Sequence, residues 1–351
     1  MMTAIDSLIQ SGTKLWLDSI DPDLVAESLQ YGASGATSNP SIVGGLIQSG
    51  RFDDSLMSRF EEGLDDEQIA WQMTDQLVSA AQQAYLPIWQ RTAGNDGYVS
   101  FELDPLLEDS ELGPPLDERI AQYIALGRQW SAGQTNRMIK VPATEAGIAS
   151  LETLAAAGVT LNVTLIFTSR QYQAARDAVW RGAQRRSSLE GFKSVYSIFV
   201  SRVDVYTEQH VNQLSAAAQG QAGIVNAKRI WADNRAFWQD KPTTLDQEII
   251  FASTGTKRPE DSPLKYIAAL AGDDIQTNPP AQNESLQISD AILSPALDQL
   301  PPKAVLDEID SEVDFARLEE VLLDEGVKKF ADPQKDLLRL IAKHRLASKT
   351  Q

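Results

Sequence analysis

The sequence predicts an α/β protein in which eight strands and eight helical crossovers close into a (β/α)8 barrel. Two observations carry this reading. Short β-rich runs alternate with long helical stretches from end to end, and such alternation implies parallel strands joined by right-handed crossovers. The units fill about 280 residues, the size expected of a single TIM barrel; a doubly wound open sheet is the alternative.

The expected strands are Leu15–Ser19, Gly35–Ser38, Tyr98–Leu103, Met138–Val141, Thr160–Phe167, Val195–Val203 and Glu248–Ser253, with Asp274–Thr277 as a weaker eighth. Between them apolar residues recur every three or four positions. In 65–90, Ile69, Met73, Leu77, Ala81, Tyr85 and Ile88 mark a helix with one buried face. Pro40, Pro105, Pro142 and Pro259 each follow a strand, where a missing N–H does no harm. Residues 1–300 are expected to form the barrel. Beyond Leu300-Pro301-Pro302, residues 301–351 read as an acidic helical extension packed on it, with Leu318, Val321, Leu322, Leu337, Leu338, Leu340 and Ile341 as its apolar positions.

Composition narrows the chemistry. The 351-residue chain is 42% hydrophobic and carries a formal charge of −18, which argues against nucleic acid or an anionic membrane as the main partner. It has no cysteine, so disulfides, thiolate nucleophiles and thiolate metal sites are excluded. His210 and His344 are its only histidines, too few for a three-histidine metal centre. The opening MMTAIDSLIQ lacks a basic segment followed by an apolar one. No apolar run nears the roughly 20 residues that span a bilayer. The expectation is a cytoplasmic protein without a cofactor or a metal.

In a barrel, chemistry belongs at the C-terminal ends of the strands. There the sequence sets Asp18, Thr37-Ser38-Asn39, Glu102, Asp104, Lys140, Asn162, Thr164, Ser197, Arg202, Ser253, Thr254, Thr256 and Lys257. Lys140 stands between apolar strand residues. Removing an ammonium from water favours the neutral amine, which can attack a carbonyl and form a Schiff base; an ordinary strand-end lysine is the plain alternative. Asp18 and Glu102 have the chemistry to shuttle protons, or else to cap the next helix. Asn39-Pro40 also reads as an N-cap followed by proline at the first helical position. Arg202 and Ser253-Thr-Gly-Thr-Lys257 combine hydroxyls, backbone N–H groups and cations, the makings of a phosphate nest. Gly255-Thr-Lys257 is not a Walker A loop, because Ile250 stands where its first glycine would fall. The sequons at Asn162 and Asn283 are chance matches.

Taken together, these strings resemble the transaldolase family of Schiff-base transferases in the pentose phosphate pathway. The carriers are LWLDSI, GATSNPSI, GYVSFELDP, MIKVPATEAGIASLETLAAAGVTLNVTLIFTSRQY, SIFVSRVD and ASTGTK, in the family's order. EGVKKFADPQKDLL is similar to the C-terminal stretch of its longer bacterial branch. The resemblance implies that Lys140 is the Schiff-base lysine and that Asp18 moves the C4-hydroxyl proton. It implies that Glu102 and Thr164 hold the water used in carbinolamine formation and loss. Asn39, Asn162 and Ser197 would bind substrate hydroxyls, and Arg202, Ser253 and Lys257 the phosphate. Phe199 would offer an apolar ring that keeps the enamine from protonation, or else pack in the core. Ile198 stands where many members have proline, and Lys257 where the shorter branch has arginine after a different loop.

The expected reaction moves a dihydroxyacetone unit from sedoheptulose 7-phosphate to glyceraldehyde 3-phosphate, giving erythrose 4-phosphate and fructose 6-phosphate. The expected assembly is a monomer or homodimer whose partners are sugar phosphates. The rivals are a Schiff-base aldolase that frees dihydroxyacetone, a non-catalytic sugar-phosphate-binding barrel, and a carboxylate-bound divalent-metal isomerase.

Overall fold

The computed structural model describes residues 2–258 and 261–348; Pro259 lies outside them. The strands are β1 (Thr13–Leu17), β2 (Gly35–Thr37), β3 (Val99–Glu102), β4 (Arg137–Pro142), β5 (Leu161–Ile166), β6 (Ser194–Phe199), β7 (Glu248–Ala252) and β8 (Asp274–Asn278). Each pairs in parallel with the next, and β8 returns to β1, so the barrel is closed. The open-sheet alternative is thereby excluded.

Strand alternation divides the core in two. Val99, Phe101, Ile139, Val141, Val163, Ile198 and Ile249 belong to one cluster with helix residues such as Met73, Leu77, Leu151 and Val179. Their alternates Trp16, Met138, Val195, Ile250 and Ile275 belong to a second, which fills the barrel. Lys140 shares its parity with Met138, and so points inward. Register sets Glu102 beside Lys140 and Lys140 beside Asn162. Neighbouring strands therefore hold three polar side chains at one level.

The helix expected over 65–90 spans Asp66–Arg91 behind a capping box of Asp65 and Gln68, and buries Ile69, Met73, Leu77, Ala81 and Tyr85. Asn39 caps the helix Pro40–Gln48, with Pro40 at its first position.

The first strand runs two residues earlier than expected, Thr13–Leu17 against Leu15–Ser19, and the sixth needs a larger correction. The sequence pattern carries the sixth strand through Val203, but β6 stops at Phe199 and a helix runs from Ser201 to His210. The apolar run does not reveal the break, because Val200 and Val203 are as buried as strand residues. Arg202 thus sits in the first turn of a helix. The weak eighth strand is a full one. All five residues of DIQTN are buried, and the Gln276 side-chain NH2 group donates to the Ile267 and Leu270 carbonyls at 3.0 and 2.8 Å.

After residue 300 come helices Lys303–Glu312 and Phe315–Ser348. The second lies across the ends of the strands. Near its start Glu319 accepts bonds from Thr168 and Arg170 just past β5. Further along, Lys335 pairs with Asp109 at 2.6 Å, and Arg345 with Asp66 at 2.7 Å. Gly326 makes the close approach possible, since a Cβ there would lie 3.1 Å from Leu165 and 3.4 Å from Phe167.

Candidate active site

A cavity of about 210 Å³ opens where the strands end. Its wall includes Asp18, Asn39, Lys140, Asn162, Thr164, Ser197, Phe199, Arg202, Ser253 and Lys257, so the fold converges every expected site residue but Glu102 on one space. Glu102 lies at the edge, in an adjoining void with Leu165 and Phe330.

Lys140 is 6% exposed. Its Nζ donates to the Ser38 carbonyl and to Glu102 Oε2, each at 3.3 Å. Burial drives the Glu102 carboxyl up to about 7; the Lys140 charge opposes the shift and Asp18 adds to it. A carboxyl at that value gives or takes a proton near neutrality. Burial also raises Asp18, against the pull of Lys140. Asp18 is free for chemistry because the following helix, Pro22–Gln30, is capped by Asp21. Asp104, the other acid after β3, is spent as a cap, its Oδ1 accepting from Leu106 N–H at 2.9 Å.

Beside Lys140 a chain of hydrogen bonds fixes two side chains. Ser197 Oγ donates to Asn162 Oδ1 at 2.7 Å, and Asn162 Nδ2 donates to Ser100 Oγ at 2.9 Å. Thr164 Oγ1 is buried without a partner among the described residues. A buried orphan hydroxyl is costly, and this one faces a cavity where a water or substrate oxygen could complete it. The Asn39 carbonyl oxygen accepts from Ile42 N–H at 3.1 Å, which leaves its NH2 to offer a ligand.

Arg202 and Lys257 form the cationic end. The Arg202 guanidinium lies 5.0 Å from the Phe199 ring centre, and its buried Nη1 has no partner among the described residues. Burial lowers its pKa and Glu325 opposes this. Ser253 adopts φ 55°, a strained left-handed conformation, with its Oγ 2.9 Å from Ser201 Oγ. Phe199 is 7% exposed and packs on Phe167 at 5.5 Å, so it is core and cavity wall at once.

The sequence reading missed Phe330, whose ring centre lies 5.0 Å from Lys140 Nζ. It arrives on Phe315–Ser348, one turn after Gly326. The string EGVKKF was visible, but nothing in it says which barrel residue it would face. Thr37, Thr277 and Pro279 also line the cavity.

A larger cleft of about 770 Å³ lies at the opposite rim, among the strand starts of Lys14, Glu248 and Asp274. None of the expected site residues lies there. Among the described residues, no group of three His, Cys, Asp or Glu is placed to hold a metal, and no helix is long and apolar enough to cross a membrane.

Comparison with known proteins agrees with this geometry. Residues 15–341 match the family model described as Transaldolase/Fructose-6-phosphate aldolase. The transaldolase of Mycobacterium tuberculosis is 30% identical over 370 residues, which cover 96% of each chain. That of Thiobacillus denitrificans is 32% identical over 361 residues, covering 94% of this chain and 97% of its own. Transaldolase 2 of Streptomyces avermitilis is 29% identical over 367 residues, covering 97% and 96%. On the length of these matches and the closed barrel that carries them, the chain belongs to the transaldolase/fructose-6-phosphate aldolase family.

Proposed function

We propose that the protein is a transaldolase that moves a dihydroxyacetone unit between sugar phosphates through a Schiff base on Lys140. The observation that carries this reading is the placement of the Lys140 amine 3.3 Å from the Glu102 carboxyl, in the cavity that Asp18 shares.

The neutral amine attacks the ketose C2 carbonyl, and a proton passes from the nitrogen to the new alkoxide oxygen to give a carbinolamine. Glu102, protonated, passes its proton to the carbinolamine hydroxyl, which leaves as water and generates the iminium. Thr164 holds that water. Asp18 then takes the C4-hydroxyl proton. The C3–C4 pair moves into the iminium, an aldose phosphate departs, and a three-carbon enamine remains on Lys140. Its C3 attacks the acceptor aldehyde, Asp18 returns the proton to the new hydroxyl, and water hydrolyses the iminium. Asn39, Asn162 and Ser197 hold hydroxyls, while Arg202, Ser253 and Lys257 hold phosphate. Phe199 and Phe330 give the enamine apolar walls, which supports transfer over release of free dihydroxyacetone.

Borohydride in the presence of fructose 6-phosphate should trap a three-carbon adduct on Lys140, read by peptide mapping. Lys140→Arg should give none, because a guanidinium stays protonated. An adduct on another lysine, or none in the parent protein, overturns the mechanism. With erythrose 4-phosphate present, product should appear as sedoheptulose 7-phosphate and glyceraldehyde 3-phosphate; free dihydroxyacetone as the main product would favour the aldolase.

A further inference from the structure

Beside the cationic end of the catalytic cavity lies a second cavity of about 400 Å³, and the two share Arg202 and Lys257. Its far wall is the helix Phe315–Ser348, which contributes Leu322, Glu325 and Lys329. Three cations thus gather around one space in a chain of charge −18. Lys257 registers the crowding. Burial lowers its pKa, and the charges of Arg202 and Lys329 lower it further.

Such a cluster asks for an anion, and the structure supplies a partial one. Glu325 Oε2 lies 3.2 Å from Lys329 Nζ, and the same carboxylate acts electrostatically on Arg202. It leaves Arg202 Nη1 buried without a partner among the described residues. Both Glu325 and Lys329 are half-exposed, so their pairing is weak enough for a doubly charged ligand to displace.

We infer that Lys329 is a third phosphate-binding cation, delivered by the C-terminal helix to Arg202 and Lys257, and that Glu325 is a resident counter-ion which the substrate phosphate displaces. The inference rests on the sugar-phosphate reading of the site and adds to it a specificity residue that lies outside the barrel strands. It gives the two acidic-helix residues opposite signs. A passive surface pair would move binding in neither direction.

The test uses the full chain as wild type, Lys329→Gln, Lys329→Arg and Glu325→Gln, at one fixed ionic strength. Inorganic phosphate is the probe, its affinity read by calorimetry and by competition against fructose 6-phosphate. Lys329→Gln should weaken phosphate about five-fold and raise the KM for fructose 6-phosphate by a similar factor with kcat little changed. Lys329→Arg should stay near wild type, since it keeps the charge. Glu325→Gln should bind phosphate about two- to three-fold more tightly, because the competing carboxylate is gone. Unchanged affinity in Lys329→Gln overturns the role of Lys329, and weaker binding in Glu325→Gln overturns the counter-ion. Calorimetry needs no turnover. A wild type that transfers nothing, yet loses phosphate affinity on Lys329→Gln, would sink the proposed reaction and leave this subsite standing.

Discussion

Lys140, Glu102 and Asp18 differ from ordinary surface charges by what surrounds them. All three were visible in the sequence as polar residues at strand ends, but so was Asp104. Glu102 and Asp104, two residues apart, would share one face of a continuous strand; β3 ends at Glu102, level with Lys140, while Asp104 lies past the strand end and caps a turn. Thr164 gives the sharpest test at this scale. Its hydroxyl is buried without a partner among the described residues, so Thr164→Val removes a cost of about 1–3 kcal/mol while keeping the shape. The variant should melt at or above the wild-type temperature and lose about 100-fold in kcat, the low end of what one proton-transfer group supplies, because Thr164 positions the water and does not itself move the proton. A lower melting temperature would mean that the hydroxyl holds the fold.

At the level of elements, the closing helix is the part least legible in advance. Its amphipathic spacing showed that it packs on something. Which side chain would stand over the amine depended on where Gly326 lets it touch β5 and the residue just past it. Gly326→Ala needs a shift of a few tenths of an ångström at Leu165, offset by about 1 kcal/mol of helix propensity, so its stability should be near wild type. Gly326→Leu cannot fit between helix and strand and should lift Phe330 from Lys140. Water then reaches the enamine, and the ratio of free dihydroxyacetone to transferred product should rise while borohydride still traps the adduct. An unmoved ratio in a folded Gly326→Leu variant would remove Phe330 from the shielding role. The misread end of β6 has a related cause, because burial on both sides of Val200 gives strand and first helical turn the same apolar pattern.

Across the whole molecule, several buried carboxyls set how stability follows pH. Glu102 lies at about 7, and burial lifts Asp104 and Asp204 to about 6. Their folded-state values exceed the unfolded ones. Between roughly pH 4 and 7 the folded chain therefore holds protons that the unfolded chain has released, and stability falls as pH rises through that window. Carboxylates held low, such as Asp109 beside Lys335, act in the other direction and below it. The charge of −18 adds repulsion as pH rises. The melting temperature should drop by roughly 5–10 °C from pH 5 to pH 8. Asp104→Asn keeps the cap and should flatten the lower half of that fall. Calorimetry showing a rise across this range would contradict the assignment of these groups as buried acids.

The sequence by itself determined the barrel and most of the site's chemical inventory. Period-two and period-3.6 patterns report burial directly, and parallel strands joined by crossovers bring all their C-terminal ends to one side. A polar residue at the end of each strand is therefore already near the others before any contact is known. The tertiary structure alone decided which acid meets the amine, that Arg202 rides on a helix, that Phe330 faces the site and that Lys329 lines the cavity beside it. Those outcomes depend on where each strand stops and on the docking of a distant helix. Both are set by packing across the chain, and no local pattern encodes them.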